Sequence, residues 1–115
     1  MDDPAGPSSR DLRIVHPAHP GAHVLALHGR ADASTTDGLE DDFLYATAYG
    51  PRLVVDLSGL LYGDETLLGL LVQAQKFHDV ELVGPLAPSF QRRLDITGVA
   101  AWFTVHPTLT AALNH

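Results

Sequence analysis

Asp64, Glu65 and Thr66 stand together between two leucine-rich runs, in the stretch LLYGDETLLGLL from Leu60 to Leu71. Two carboxylates and a hydroxyl at that spacing can serve two ends. They can start a helix. Asp64 would accept hydrogen bonds from the amides of Thr66 or Leu67, a cap worth about 1 kcal/mol. Glu65 at the first helical position would gain roughly 0.3–1 kcal/mol from the helix dipole. They can also form an exposed, electrostatically sensitive contact point. The free amides and the dipole of a helix start favour an anion, and a hydroxyl there can carry a phosphate.

Other candidate groups are weaker. Seven histidines invite a metal hypothesis, and HPAHPGAH supplies His16, His19 and His23. A metal needs ligands converging from a rigid frame. This segment is broken by two prolines and reads as a solvated hairpin turn, so no metal site is expected. His28, next to Gly29-Arg30, reads as a half-buried polar residue. Asp32, Asp64 and Glu65 could be imagined as an acid–base set, but that chemistry needs two carboxylates across a substrate cleft. A 115-residue chain with short loops has little room for one. The chain also lacks G-x-x-x-x-G-K-[ST], G-x-G-x-x-G and G-x-S-x-G. No catalytic residues and no cofactor are expected.

Composition narrows the classes further. The chain carries 14 Asp and Glu against 7 Lys and Arg, a net charge of −7. Nucleic-acid binding calls for a basic face, and the only adjacent basic pair is Arg92-Arg93. An acidic surface suits a protein partner with a basic patch. Hydrophobic residues make up 45%, the usual globular range. No apolar run approaches the length of a membrane span. The start, MDDPAGPSSRDLR, is acidic where a signal peptide is basic, so the cytoplasm is the expected location. There is no cysteine, which removes disulfides and thiol chemistry.

The elements that must position Asp64 to Thr66 follow from patterning. Residues 1–10 read as a disordered tail and 11–115 as a single domain. DLRIVHP and HVLALHG, the latter closed by Gly29, read as a strand pair around the Pro20-Gly21 turn. A helix follows the possible caps at 34–38, with Leu39, Phe43, Leu44, Ala46 and Ala48 inward, and stops before Gly50-Pro51. LVVDL at 53–57 is an apolar run of strand length, as for a strand covered on both faces. Ser58-Gly59 reads as its end. Leu67 to Phe77 favours helix, VELVG at 80–84 a strand, and Pro88-Ser89 a helix start with Phe90, Leu94 and Ile96 inward and Gly98 as stop. AWFTV at 101–105 reads as the last strand and PTLTAALNH as the last helix. The order is β-β-α-β-α-β-α-β-α. It implies an α/β fold with a mostly parallel sheet of four to five strands and helices packed on it.

Three blocks in this order resemble the STAS family, the sulfate-transporter and anti-sigma-factor-antagonist domain, and most nearly its single-domain bacterial anti-sigma factor antagonists. VVDLSGLLYGDETLLGLL follows the family's switch segment: a strand, an aromatic, an aliphatic, Asp-Ser-Ser/Thr-Gly-Leu-Gly, and a helix. GRAD at 29–32 resembles the Gly-x-x-Asp that ends the family's second strand. ELVGPLAPSFQRRLDITGVAAWFTVHPTLTAAL resembles its C-terminal half, with Thr97-Gly98 and Phe103 at characteristic places.

The resemblance implies a protein-binding switch and not an enzyme. In the family the unphosphorylated antagonist binds an anti-sigma factor, often a serine kinase, and so frees a sigma factor. Phosphorylation of the first Ser after the Asp places a charge of about −1.5 to −2 in the interface and breaks it. Position by position, the resemblance makes Asp64 the motif Asp and Asp32 the acidic residue beside it. Glu65 stands at the phosphorylated Ser and Thr66 at the following hydroxyl. Gly69 matches the second Gly, Leu67 replaces the first, and Gly63 replaces the usual aliphatic. Asp32, Asp64, Glu65, Thr66, Leu67 and Gly69 are the partner-binding residues so implied. Glu65 cannot be phosphorylated, so the switch is fixed, moved to Thr66, or lost. Two alternatives stay open: a STAS subunit of another sensory or transport-associated assembly, and a small-ligand or nucleotide-binding domain. The sheet edge beside the N-terminal hairpin offers a surface for a homodimer.

Overall fold

The computed structural model describes residues 12–16, 22–32, 35–36, 39–47, 52–76 and 78–114. The expected tail at 1–10, the Pro20-Gly21 turn, His19, Ala48 and the Gly50-Pro51 stop lie outside the described residues, as do the side chains of Leu44 and Ala46.

Strands β1 (Leu12–Val15), β2 (His23–Ala31), β3 (Arg52–Gly63), β4 (Asp79–Val83) and β5 (Thr104–His106) alternate with helices α1 (Leu39–Thr47), α2 (Glu65–Gln75), α3 (Pro88–Thr97) and α4 (Leu109–Leu113). They form one five-stranded sheet in the order β1-β2-β3-β4-β5. The first pair is antiparallel, the expected hairpin, and the other three are parallel. Because each strand is laid beside the last without a reversal, right-handed crossovers place α1, α2 and α3 on one face. There Leu25, Leu27, Leu53, Val55, Leu57, Val80 and Leu82 meet Leu39, Phe43, Leu67, Leu71, Phe90 and Leu94 in the main core. Each such side chain, fully buried, contributes roughly 1.5–3 kcal/mol. On the other face α4 covers Val24, Val54 and Val83 with Ala112, flanked by Leu109 and Leu113. The continuous apolar run at 53–57 is thus covered on both sides at its start.

Several boundaries differ from the sequence reading. β2 continues past Gly29, whose φ of 104° accompanies a break in register between Gly29 and Arg30. Glycine tolerates that left-handed geometry. β3 does not end at Ser58-Gly59 but runs to Gly63, still paired with β2. A second register shift, between Ala26 and His28, absorbs the turn-like residues as a bulge. Inside it the Ser58 amide and hydroxyl both donate to Asp56 Oδ1, at 3.0 and 2.7 Å. The turn signal is real, but it bends a strand instead of closing one. Residues 100–102 form a 3-10 turn, so the last strand starts at Thr104.

Ile96 corrects the inward face of α3. It is 76% exposed, whereas Phe90 and Leu94, spaced i and i+4, are buried. A step of two residues turns a helix by about 200°, which carries Ile96 off the buried stripe.

The end of the sheet opposite Asp64 is tied by polar groups. Arg52 Nε donates to Glu81 Oε2 at 2.7 Å and its Nη2 to Glu81 Oε1 at 3.1 Å. Nη2 also donates to the Ala112 carbonyl. His106 Nε2 lies 2.7 Å from Glu81 Oε1. The hydrogen bond from Arg52 is the main reason the Glu81 carboxyl is held down to about 2 against an ordinary 4.5; burial opposes it and His106 assists. This network joins β3, β4, β5 and α4.

Candidate functional site: the acidic tip of α2

Asp64 begins α2 as the sequence implies. It is extended, with φ −106° and ψ −169°, and its Oδ1 accepts from the amides of Thr66 at 2.8 Å and Leu67 at 3.4 Å. Helix therefore starts at Glu65, the first helical position that a cap at Asp64 implies. The Asp64 amide donates to the Ala31 carbonyl at 3.0 Å, and Ala31 pairs with Gly63. The long β2–β3 ladder thereby sets the loops that begin at Asp32 and Asp64 side by side, at the carboxyl ends of adjacent parallel strands.

Asp32 organises the first loop. Its amide donates to Thr35 Oγ1 at 2.8 Å. Its carbonyl accepts from the Thr35 and Thr36 amides, both at 3.0 Å, and from the Thr36 hydroxyl at 2.9 Å. The Thr35 hydroxyl donates to the Arg30 carbonyl at 2.8 Å. These threonines, expected among the caps of α1, fold the loop onto Asp32 instead.

The six sequence-selected residues divide into two groups. Glu65 and Gly69 are exposed one helical turn apart, Thr66 is half-buried behind them, and Asp32 and Asp64 are half-buried at the base. Leu67 does not belong with them. Its side chain is wholly buried in the main core, so it supports the tip from below and offers a partner nothing. Helical geometry requires this, since the stripe at 67, 68 and 71 faces the sheet.

Sequence reasoning missed three neighbours. Arg93 Nη1, on α3, lies 3.9 Å from Glu65 Oε2, whose side chain is 86% exposed. The Arg92-Arg93 pair is visible in the sequence, but nothing there places it beside α2. Arg30 stacks on Tyr62, 4.5 Å from the ring centre, as their pairing in the ladder allows. Leu61, inside an apolar run, is exposed at the register break opposite Gly29 and Arg30.

Chemically, the tip is acidic and faces solvent. A solvated carboxylate, a hydroxyl and a helix start converge there. Among the described residues no group of three His, Cys, Asp or Glu is placed to hold a metal. His16 and His23 meet edge to face, 5.8 Å between ring centres, and burial, aided by His16, lowers the His23 pKa. His28 is half-buried, as its sequence context implies. Among the described strands the order does not reverse, so the sheet has no topological switch point.

Fold and tip together define a class: a small α/β domain with a consecutively ordered sheet and a capped, acidic, solvent-facing helix start. The chain belongs to the STAS domain family, whose model matches residues 13–112. An anti-sigma factor antagonist from Mycobacterium paratuberculosis is similar over 94% of each chain, with 26% identity and a TM-score of 0.81. The anti-sigma factor antagonist SpoIIAA in its unphosphorylated form has the same fold, at 14% identity and a TM-score of 0.73 over 90% of this chain and 93% of that one. So does a STAS domain protein from Planctomyces limnophilus, at 19% identity and 0.72 over 90% and 95%. No curated protein sequence matches the chain. No helix among the described residues is long and apolar enough to cross a membrane.

Proposed function

We propose that this protein is an anti-sigma factor antagonist: it binds an anti-sigma factor through the α2 tip and so releases a sigma factor, without itself catalysing a reaction. The observation that carries the reading is Glu65. It projects into solvent from a helix start held by Asp64, at the position where the family resemblance places the phosphorylated serine. Family membership and the fold shared with anti-sigma factor antagonists support it.

In the free protein the Glu65 charge is hydrated and costs little. In a complex it would lose that water, and a buried charge without a partner is expensive. A partner that binds this protein therefore presents a cation or a polar pocket to Glu65. On this reading Glu65 makes the protein a constitutive, non-phosphorylated antagonist whose partner accepts a fixed single charge. Asp32, Asp64, Thr66 and Gly69 complete the contact surface, and Leu67 sets the angle of the helix that presents it.

Calorimetric titration against the anti-sigma factors encoded beside this protein, kinase-like ones included, tests the reading in three forms: wild type, Glu65→Ser and Glu65→Ala. Mass spectrometry after incubation with nucleotide reports any phosphate on Thr66 or on the serine introduced by the first substitution. Binding of the wild type at micromolar affinity, about −8 kcal/mol, supports a constitutive antagonist. Binding only by the Ser or Ala form makes Glu65 a built-in off state. No binding by any form removes the anti-sigma role and leaves another STAS assembly.

A further inference from the structure

The outer face of α3 carries a groove that the α2 tip does not use. Pro88, Ser89, Arg92, Arg93 and Ile96 line it. They recur at helical spacing on the side of α3 away from Phe90 and Leu94, which anchor the helix in the core. The composition is unusual for this chain. Seven basic residues stand against fourteen acidic ones, yet two of the seven sit here together, one turn from an isoleucine left in water. Arg92 has no ion-pair partner among the described residues. Among the described residues the ion-pair partner of half-buried Arg93 is the exposed Glu65, at 3.9 Å, a pairing too loose to hold it. Asp95 is turned to another partner on its own helix, accepting from Gln91 Nε2 at 3.2 Å.

We propose that this groove docks an acidic amphipathic segment of a protein partner, with carboxylates on Arg92 and Arg93 and an apolar side chain on Ile96. Paired guanidiniums match carboxylates in geometry as well as charge. Arg93 lies between the groove and Glu65, so the groove continues the proposed anti-sigma contact surface; to that extent the inference rests on the proposed function. A symmetric contact with a second copy is disfavoured, because it would set Arg92 and Arg93 against themselves. Nucleic acid is disfavoured by the acidity of the rest of the chain.

The test is a heteronuclear NMR titration of the full chain with three short peptides that share one apolar pattern and differ only in carrying Glu, Gln or Lys at the polar positions. The Glu peptide is expected to shift the amides of residues 89–96 and to bind about tenfold more tightly than the Gln peptide, while the Lys peptide leaves them unmoved. Arg92→Glu with Arg93→Glu abolishes the preference, and Ile96→Ser weakens binding with no loss of fold by circular dichroism. Equal binding of the Glu and Gln peptides, shifts elsewhere, or none at all overturn the proposal. So does self-association by sedimentation that the double charge reversal removes, which would give the groove to a second copy. The two readings fail separately. If whole anti-sigma factors bind and the charge reversal leaves their affinity unchanged, the groove proposal falls and the function stands. If none binds while the Glu peptide still docks at 89–96, the function falls and the groove stands.

Discussion

Leu67 fills the space that a side chain at Gly63 would need. A Cβ on Gly63 would lie 2.8 Å from Phe90 Cδ1, closer than packed carbons come, and tightly against Leu67 Cδ2 at 3.0 Å and Leu60 Cδ2 at 3.1 Å. In the family pattern an aliphatic residue precedes the motif Asp and a Gly follows it by three. Here the glycine precedes Asp64 and the leucine follows. If the two departures compensate, substitutions at Gly63 and Leu67 should be energetically coupled.

Gly63→Ala is therefore expected to overpack the core and cost about 1–3 kcal/mol. Leu67→Ala should cost about 2–5 kcal/mol through the cavity it leaves. The double substitution should cost less than the sum, with a coupling of at least about 0.5 kcal/mol. Urea unfolding of the four proteins measures it; additive losses would show that the residues do not share that volume.

Asp64→Ala removes the side-chain cap of α2 and should lower stability by about 0.5–2 kcal/mol. Asp64→Asn keeps the accepting oxygen and should recover most of the loss. Equal losses in the two variants, read by denaturant midpoints, would show that the charge of Asp64 matters more than its hydrogen bonds.

Glu65→Ala and Glu65→Ser touch nothing in the core, and the contact with Arg93 is long and solvated. Each should shift stability by less than about 1 kcal/mol, the share due to the helix dipole. Any larger change in partner affinity then belongs to the interface. Thermal melts of both variants alongside the calorimetry establish this.

Glu81 makes stability depend on pH in a stated direction. Its folded pKa of about 2 lies below the ordinary 4.5, so the stabilisation is complete above the unfolded value. It is lost as pH falls from about 5 toward 2, by an amount on the order of 3 kcal/mol. Unfolding midpoints measured from pH 7 to pH 3 should fall accordingly. Glu81→Gln should be less stable at pH 7, since it leaves Arg52 without its counter-charge, and should show a flatter decline.

Ile96 and Leu94 separate surface from core on one helix. Ile96→Ser should change stability by no more than about 0.5 kcal/mol, and Leu94→Ala should cost about 2–5 kcal/mol. Similar losses would mean that α3 is rotated from the orientation described.

Patterning by itself determined the element order, the hairpin and the Asp64 cap, because each depends on neighbours within a few residues, and the alternation of strands and helices implied a mostly parallel sheet. Apolar period, Gly and Pro punctuation, and a capping side chain within hydrogen-bonding reach of its own amides are local facts. The sequence also made Glu65 stand out, at the first position after a cap. It could not decide that Ser58-Gly59 is a bulge, since only the β2 partner keeps β3 extended to Gly63. It could not exchange Leu67 from contact to core, because that depends on the gap left by Gly63 and on Phe90, more than twenty residues away. Nor could it bring Arg93 to Glu65, join Asp32 to Asp64 through the Ala31 carbonyl, or tie Arg52 to Glu81, His106 and α4. Those relationships exist only where strands distant in the chain are laid side by side, and it is there that tertiary packing decided which residues face solvent and which hold the tip in place.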